Sequence, residues 1–353
     1  MASQYTLSSA DNIKQHYQEN ILPFWKRKVQ TCEFKSPDST TLAYAYCISP
    51  NAKATIVLSP GRTEGYLKYQ EFFYDLYQNG YSIFAIDHRG QGLSDRLINH
   101  PQKGYVDKFQ HYVDDFAQFF EEEVKPKTDS PLFLVGHSMG ATIATLYLEQ
   151  FPDKFVASAM SAPLYGFNPG MLPVFVAKPL SQILIGIKTL LGKSSDYFLG
   201  QFDYCQVPFK ENKLTQCQAR YDHFRYIYEQ HNQLRLGGIT FHWLATSLRA
   251  IKDLFRHINS IQTPMLIIQS YDDEVVNLGD QTRFYKRLEP KGICEKIELH
   301  GAKHEVFFET DLMRTTAITG MLKFFDKHLA WIGNQISEIK YHQPQRYWLS
   351  CLQ

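Results

Sequence analysis

The feature that most constrains the fold is an alternation of short apolar runs with segments of helical periodicity. The first half contains three such pairs, with apolar runs at 55–59, 82–86 and 132–136 and helical segments at 71–78, 112–123 and 141–149. A fourth apolar run at 155–159 follows. Because strands that alternate with helices are joined by helical crossovers, this order predicts a mostly parallel sheet with helices on both faces.

The alternation stops between residues 164 and 250, where aromatic, proline-punctuated sequence predicts helices but no strand. It resumes with apolar runs at 265–269 and 296–299 and helical segments near 281–288 and 315–328. We therefore predict one α/β core in two pieces, a helical cap inserted between them and a tail. The predicted boundaries are 1–163 and 251–330 for the core, 164–250 for the cap and 331–353 for the tail.

Composition excludes several classes of protein. Hydrophobic residues form 44% of the 353 residues, which suits a sizeable core and excludes a disordered chain. Thirty-seven basic and 36 acidic residues create no net field for a polyanion, so we expect no nucleic-acid partner. The six cysteines contain no CxxC pair, so the sequence predicts neither a zinc site nor a disulfide framework, and it favours a reducing compartment.

No segment indicates secretion or membrane insertion. The first twenty residues lack a basic stretch followed by an apolar run, so we expect no secretory signal. No window offers the roughly 18 uninterrupted apolar residues that a spanning helix needs. We therefore expect a cytoplasmic protein that is soluble or peripheral to a membrane.

The first part of the predicted cap is unusually apolar. Between residues 164 and 192 its only charged side chains are Lys178 and Lys188, and prolines at 169, 173 and 179 are expected to break it. Such a segment suits contact with a bilayer surface, with residues 175–176 and 183–185 at its apolar face. Ordinary packing of an apolar cap on the core is an equal alternative.

The pentapeptide Gly136-His137-Ser138-Met139-Gly140 fits the pattern G-x-S-x-G at a predicted strand-to-helix turn. A nucleophilic serine needs such a sharp turn, and glycines two residues before and after it relieve the crowding that a Cβ would cause. The alternative is a glycine-rich turn with an idle serine. The apolar strand before the pattern and the small-residue helix after it favour a nucleophile.

A serine hydroxyl needs a histidine to accept its proton and a carboxylate to orient the histidine. With this turn, the partners follow the serine in the order acid, then histidine. One loop after the interruption contains Asp272, Asp273 and Glu274, and a later glycine-rich loop contains His304. We predict that His304 is the base, and the residue pattern leaves the three carboxylates open as the acid.

Acyl transfer also needs N–H donors for the oxyanion. The Met139 N–H, directly after the serine, is one candidate, and the Arg62 N–H in the loop after the first apolar run is the other. Gly61 lets this loop approach a substrate closely. Two interpretations of the Arg62 side chain stay open, namely contact with an anionic head group and pairing with Glu64 or Asp87.

Several longer runs carry a resemblance to a known family. They are PGRTEGYLKYQEFFYDL, IDHRGQGLSDRL, GHSMG, YDDEVV, GAKHEVFFE and, in the predicted cap, LTQCQARYDHFRYIYEQHNQLRLGGITFHW. Together they resemble PldB-type bacterial lysophospholipases, in the monoacylglycerol-lipase-like and serine-aminopeptidase-like branch of the α/β hydrolases. The resemblance extends from about residue 44 to residue 328. GHSMG and DHRGQG are common among esterases, whereas the other runs are more specific.

The resemblance implies an α/β-hydrolase fold and hydrolysis of the fatty-acyl ester of lysophospholipids, without a metal or an organic cofactor. It implies association with the cytoplasmic side of the inner membrane. It also implies a triad of Ser138, Asp273 and His304, with Asp273 favoured over Asp272, although this branch can carry glutamate there. The alternatives are a monoacylglycerol lipase or general carboxylesterase, a serine aminopeptidase, and a catalytically idle binding protein. No oligomeric state is predicted.

Overall fold

Eight strands form one sheet in the computed structural model, which describes residues 4–168 and 174–341. The strands are β1 (Gln30–Lys35), β2 (Thr41–Cys47), β3 (Ala54–Ser59), β4 (Tyr81–Ile86), β5 (Leu132–His137), β6 (Ala157–Ser161), β7 (Met265–Ser270) and β8 (Cys294–Leu299). Their order is β1-β2-β4-β3-β5-β6-β7-β8. β2 pairs antiparallel with β1 and β4, and every other pair is parallel. The predicted mostly parallel sheet is confirmed.

Ten α-helices surround this sheet within the described ranges. They are α1 (Ile13–His16), α2 (Leu22–Lys28), α3 (Gln70–Gln78), α4 (Gln110–Gln118), α5 (Met139–Gln150), α6 (Val174–Leu190), α7 (Gln218–Gln230), α8 (Phe241–His257), α9 (Leu278–Leu288) and α10 (Asp311–Tyr341). π-helical turns at Tyr17–Ile21 and Phe119–Val124 continue α1 and α4. Short 3-10 turns lie at Tyr66–Tyr69, Lys125–Lys127, Phe209–Glu211, Asn232–Leu234, Ile258–Ser260, Glu289–Lys291 and Val306–Phe308.

The hydrophobic core lies on both faces of the sheet because successive strand residues point in opposite directions. On β5, Phe133 packs into the layer that contains α3 and α10, and its ring stacks on Phe325 at 4.2 Å between centroids. The next residue, Leu134, packs into the opposite layer with α4, α5 and α9. All residues of β3, β4, β6 and β7 are buried, as expected for parallel strands covered on both sides.

Strands β1 and β2 and the first two helices were not predicted. β1 is an edge strand in which only Phe34 is buried, so its sequence lacks the continuous apolar run that marks the central strands. Two helices also extend past predicted boundaries. α8 continues to His257 because Ile251 and Leu254 keep its apolar face buried, and α10 continues as a helix from the predicted core into the predicted tail.

The segment 164–250, called the insertion from here on, connects β6 to β7 and contributes no strand to the sheet in its described part. It touches the loops at the carboxyl edge of the sheet, where Tyr228 donates to the Thr63 carbonyl at 2.8 Å. Pro179, expected to break the segment, lies inside α6, where its ring removes one backbone hydrogen bond. The other two predicted breaks, Pro169 and Pro173, lie outside the described residues.

Candidate active site

Ser138 lies on the turn between β5 and α5, with a backbone φ of 51° that residues other than glycine rarely adopt. The flanking glycines are required by crowding. A Cβ at Gly140 would lie 2.0 Å from the Ser59 carbonyl oxygen, and one at Gly136 would lie 2.5 Å from the Ala141 Cα. Such a backbone costs about 1–3 kcal/mol and is held by the packed strand and helix on either side.

His304 links Ser138 to Asp273. The Ser138 hydroxyl lies 2.9 Å from His304 Nε2, and His304 Nδ1 lies 2.7 Å from Asp273 Oδ2. The other Asp273 oxygen accepts from the Val275 and Val276 N–H groups at 2.7 and 3.1 Å. Because the carboxylate holds the proton on Nδ1, Nε2 is free to accept a proton from the serine.

The neighbouring carboxylates do not reach the histidine. Asp272 and Glu274 are exposed, and Glu274 pairs with Lys213 at 2.9 Å on the surface. The Asp273 side chain, by contrast, is only 1% exposed. Of the three acids that the residue pattern left open, the structure therefore brings Asp273 alone to His304.

The two backbone N–H groups predicted for the oxyanion lie beside the serine. Neither the Arg62 N–H nor the Met139 N–H donates to another group among the described residues. A Cβ added to Gly61 would lie 3.2 Å from the Ser138 Cβ, which shows how closely the loop after β3 approaches the nucleophile. The two N–H groups can therefore stabilise the negative charge that develops on a substrate carbonyl oxygen when Ser138 attacks the carbonyl carbon.

The loop after β4 supports the loop that carries Arg62. The Gln91 side-chain amide donates to the Gly61 and Glu64 carbonyls at 2.7 and 2.9 Å. Asp87 accepts from the Tyr66 N–H at 2.6 Å and from the N–H of Leu93 at 2.8 Å. Burial raises the pKa of Asp87 to about 7, although these N–H groups favour its ionised form. Of the two interpretations left open for the Arg62 side chain, pairing with Glu64 or Asp87 does not occur, because Glu64 pairs with Lys68 and Asp87 accepts these N–H groups.

The Arg62 guanidinium instead points into the insertion. Its Nη1 donates to the Gly237 carbonyl at 2.8 Å, and its carbon lies 5.7 Å from the centre of the Trp243 ring. Within the described part of the chain it has no carboxylate partner. Burial without a compensating charge lowers the pKa of Arg62 to about 10.

Directly behind the site lies a buried charged cluster that we did not predict, made of Glu64, Lys68, His137 and Glu305. Lys68 Nζ lies 2.5 Å from Glu64 Oε1 and 2.7 Å from Glu305 Oε2. His137 Nε2 lies 3.4 Å from the same Glu305 oxygen. The i,i+4 spacing of Glu64 and Lys68 is a sequence signal for their pairing, but nothing in the sequence brings Glu305 to them.

The charges of this cluster shift its own pKa values. Burial by itself would raise the pKa of Glu305, but Lys68 and then His137 hold it well below its usual range. Burial also disfavours a charged His137, yet Glu64 and Glu305 raise the His137 pKa above its ordinary value. Glu64, His137 and Glu305 have the donor atoms of a metal site, but the Lys68 ammonium already contacts both carboxylates where a cation would bind.

Comparison with known proteins gives consistent results. A family model described as serine aminopeptidase, S33, matches residues 50–311. Lysophospholipase L2 of Escherichia coli strain K12 is 33% identical over 90% of this chain and 94% of its own length. A probable lysophospholipase L2 of Haemophilus influenzae is 34% identical over 87% of this chain and 95% of its own length. A crystal structure of a soluble variant of monoglyceride lipase from Saccharomyces cerevisiae, with a substrate analogue, aligns at a TM-score of 0.68 and 23% identity, over 85% of this chain and 94% of that one. The last likeness establishes the α/β-hydrolase fold.

Proposed function

Because the chain belongs to the serine aminopeptidase S33 family of hydrolases, we propose that it cleaves the fatty-acyl ester of lysophospholipids with Ser138 as the nucleophile. The observation that carries the proposal is the hydrogen-bonded series Ser138–His304–Asp273. The choice of substrate is supported by the similarity to lysophospholipase L2 over nearly the whole length of both chains.

The geometry supports the following mechanism. As the Ser138 oxygen attacks the ester carbon, His304 Nε2 takes its proton, and Asp273 stabilises the imidazolium that forms. The Arg62 and Met139 N–H groups hold the oxyanion, each contributing about 3 kcal/mol to the transition state. The C–O bond to the glycerophospho-alcohol then breaks, and the leaving oxygen takes the proton from His304. Water, deprotonated by His304, then attacks the acyl carbon, the bond from this carbon to the Ser138 oxygen breaks, and this oxygen takes the proton from His304 as the fatty acid is released.

Two rival activities are also ester hydrolysis, whereas a third is hydrolysis of a peptide bond. A monoacylglycerol lipase or a general carboxylesterase would use the same three residues. A serine aminopeptidase would need a free carboxylate to bind the amino terminus of a peptide. Glu305, a buried carboxylate that directly follows His304, already pairs with Lys68 at 2.7 Å, which weighs against the peptidase.

The test is a substrate panel on the purified enzyme. We expect hydrolysis of lysophosphatidylethanolamine to exceed that of a monoacylglycerol with the same acyl chain, a p-nitrophenyl ester and an amino-acid amide. Ser138→Ala should lower turnover by about 10⁴-fold or more and abolish labelling by a fluorophosphonate, with the thermal unfolding temperature unchanged. Preference for the amide would support the peptidase, and an unlabelled wild-type protein would support an idle binding protein.

A further inference from the structure

A cavity of about 230 Å³ lies between the loop after β3 and the insertion. Arg62 lines it from the loop, Tyr228 and Arg225 line it from α7, and Glu305 lines it beside His304. The cavity therefore adjoins Arg62, whose N–H is one candidate oxyanion donor, and Glu305, which directly follows the candidate base in the sequence. Its position suits the part of an ester substrate that leaves, since the leaving oxygen must reach His304.

Arg225 lines this cavity, and no carboxylate pairs with its guanidinium in the described part of the protein. Its Nε is buried and donates to no described group, and its Nη1 donates weakly to the Tyr204 hydroxyl at 3.4 Å. The guanidinium carbon lies 5.0 Å from the Tyr221 ring centre and 5.3 Å from that of Phe224. Arg62 is the second such cation, with a backbone carbonyl and a tryptophan ring as its partners.

The other cation that lines the cavity is paired with carboxylates. Lys68 lies 2.5 Å from Glu64 and 2.7 Å from Glu305, so this cluster adds no net positive charge. Glu229, which Tyr204 reaches at 3.3 Å, pairs with Arg235 at 2.5 Å. Asp203 also lines the cavity, but its side chain is 54% exposed, so water screens its charge. Arg62 and Arg225 are thus left as two uncompensated positive charges.

We propose that this cavity is a phosphate subsite in which Arg62 and Arg225 bind the phosphodiester of the glycerophospho head group. The inference rests on the proposed function and adds the residues that separate a lysophospholipid from a monoacylglycerol. Arginine presents its N–H groups in a planar fork that fits a phosphate, and a partly buried site strengthens the attraction. The glycerol of the substrate places only three carbons between ester and phosphate, so a phosphate subsite should lie near the oxyanion donors, and Arg62, which carries one of them, lines this cavity.

The first test compares two substrates that differ only in the phosphoethanolamine head group. With Arg225→Met, KM for lysophosphatidylethanolamine should rise about tenfold or more, while KM for a monoacylglycerol of the same chain length should change less than about twofold. Both are measured in mixed micelles of constant detergent content. Arg225→Lys, which keeps the charge but loses the fork, should give an intermediate rise. Arg256→Gln, an exposed arginine paired with Asp253 on α8, is the matched control and should alter neither KM.

The second test measures binding of the head group alone. Glycerophosphoethanolamine should inhibit monoacylglycerol hydrolysis by the wild-type enzyme, and Arg225→Met should weaken this inhibition about tenfold. Inorganic phosphate is the comparison probe. If inorganic phosphate inhibits more strongly than glycerophosphoethanolamine, the cavity binds free anions and the proposal is overturned.

Two further outcomes overturn the inference in distinguishable ways. An equal loss on both substrates, or no loss on either, would mean that Arg225 only packs the insertion, while hydrolysis of lysophosphatidylethanolamine by the wild type would still support the proposed function. A wild-type enzyme that reacts with the fluorophosphonate but does not hydrolyse lysophosphatidylethanolamine would instead remove the proposed function, and the phosphate subsite with it. That result is visible before any variant is made.

Discussion

At the scale of single residues, Asp273 uses both carboxylate oxygens in different ways. One oxygen faces His304, and the other accepts two N–H groups from its own loop, those of Val275 and Val276. The loop therefore fixes the plane of the carboxylate before a substrate arrives. Asparagine in this position would keep the shape but present an N–H group, or a weaker acceptor, to the histidine.

Asp273→Asn should therefore lower kcat by about 10⁴-fold, because His304 would adopt the wrong tautomer. Asp272→Asn and Glu274→Gln should each lower kcat by less than about threefold, because both side chains are exposed. Steady-state kinetics on a soluble p-nitrophenyl ester measures all three. If Asp272→Asn abolishes activity and Asp273→Asn does not, the acid is Asp272 and the assignment of Asp273 is wrong.

The sequence was sufficient to predict which residues come together, but not how their neighbours are charged. Ser138 and His304 are marked by local patterns, since a glycine-flanked turn and a glycine-rich loop after a strand need no tertiary information. Asp273 needed the family resemblance, because three consecutive acids differ only in direction. The partners of the Arg62 side chain were not predictable, since Gly237 and Trp243 reach it through the path of the insertion.

At the scale of elements, Lys68 connects three separate segments. Glu64, which it contacts, also accepts from the Gly61 N–H in the loop of the oxyanion donors. Glu305, its other partner, directly follows His304, and His137, which pairs with Glu305, directly precedes Ser138. One buried ammonium group thus links the loops after β3 and β8 directly and, through Glu305, the end of β5.

Lys68→Met should destabilise the protein by about 3–5 kcal/mol, because it leaves two buried carboxylates without their cation. In the wild type the lowered pKa of Glu305 adds stability that is present above the ordinary carboxyl pKa and lost on acidification. Without Lys68, burial dominates and the pKa of Glu305 should rise above its ordinary value. The folded state of the variant should then lose stability as pH increases, because the ionised form of Glu305 is disfavoured where it is buried. The free-energy difference from wild type should therefore be larger at pH 8 than at pH 5.

Chemical denaturation at both pH values measures this difference. Lys125→Met removes an exposed i,i+4 pair with Glu121 and should cost less than about 1 kcal/mol at either pH. A Lys68→Met penalty that is constant or larger at pH 5 would show that the cluster does not carry the charges described.

Among the elements, the central strands were predictable and the outer ones were not. Parallel strands buried on both faces leave continuous apolar runs, and the boundaries of β3, β5 and β7 fall within one residue of those predicted. β1 has the alternating exposure of an edge strand, and β2 gains its burial by pairing with β4. Such strands are defined by their neighbours more than by their own composition.

At the scale of the whole molecule, the apolar surface is concentrated on α6 and the residues after it. Seven large apolar side chains there are exposed, namely Leu180, Ile183, Ile187, Leu190, Leu191, Leu199 and Phe202. An exposed apolar patch of this kind marks an interaction site in a protein of ordinary composition. No helix in the described ranges is long and apolar enough to cross a membrane. Phe175 and Val176, also predicted to face a bilayer, lie outside the described side chains.

We predict peripheral binding to liposomes through α6. Ile183→Glu should weaken binding at least about fivefold and raise KM for micellar lysolipid, since a charge resists entry into the bilayer interface. Turnover of a soluble short-chain ester should stay within about twofold, because the triad is untouched. Ile48→Glu is the matched control. Ile48 is an exposed isoleucine directly after β2, at the amino edge of the parallel strands, whereas the insertion contacts the loops at their carboxyl edge. Liposome flotation and kinetics give the readouts, and equal slowing of both substrates would place Ile183 in the core.

The path of the chain through the insertion has a consequence for how such enzymes diversify. The Phe167 ring, where the chain leaves the core, lies 6.1 Å from the Trp243 ring, where it returns. The chain between these two side chains thus begins and ends close together, and its described residues contribute no strand to the eight-stranded sheet. Recombination at this junction can therefore exchange one substrate-recognition module for another while the sheet that holds the serine, the acid and the histidine is inherited intact.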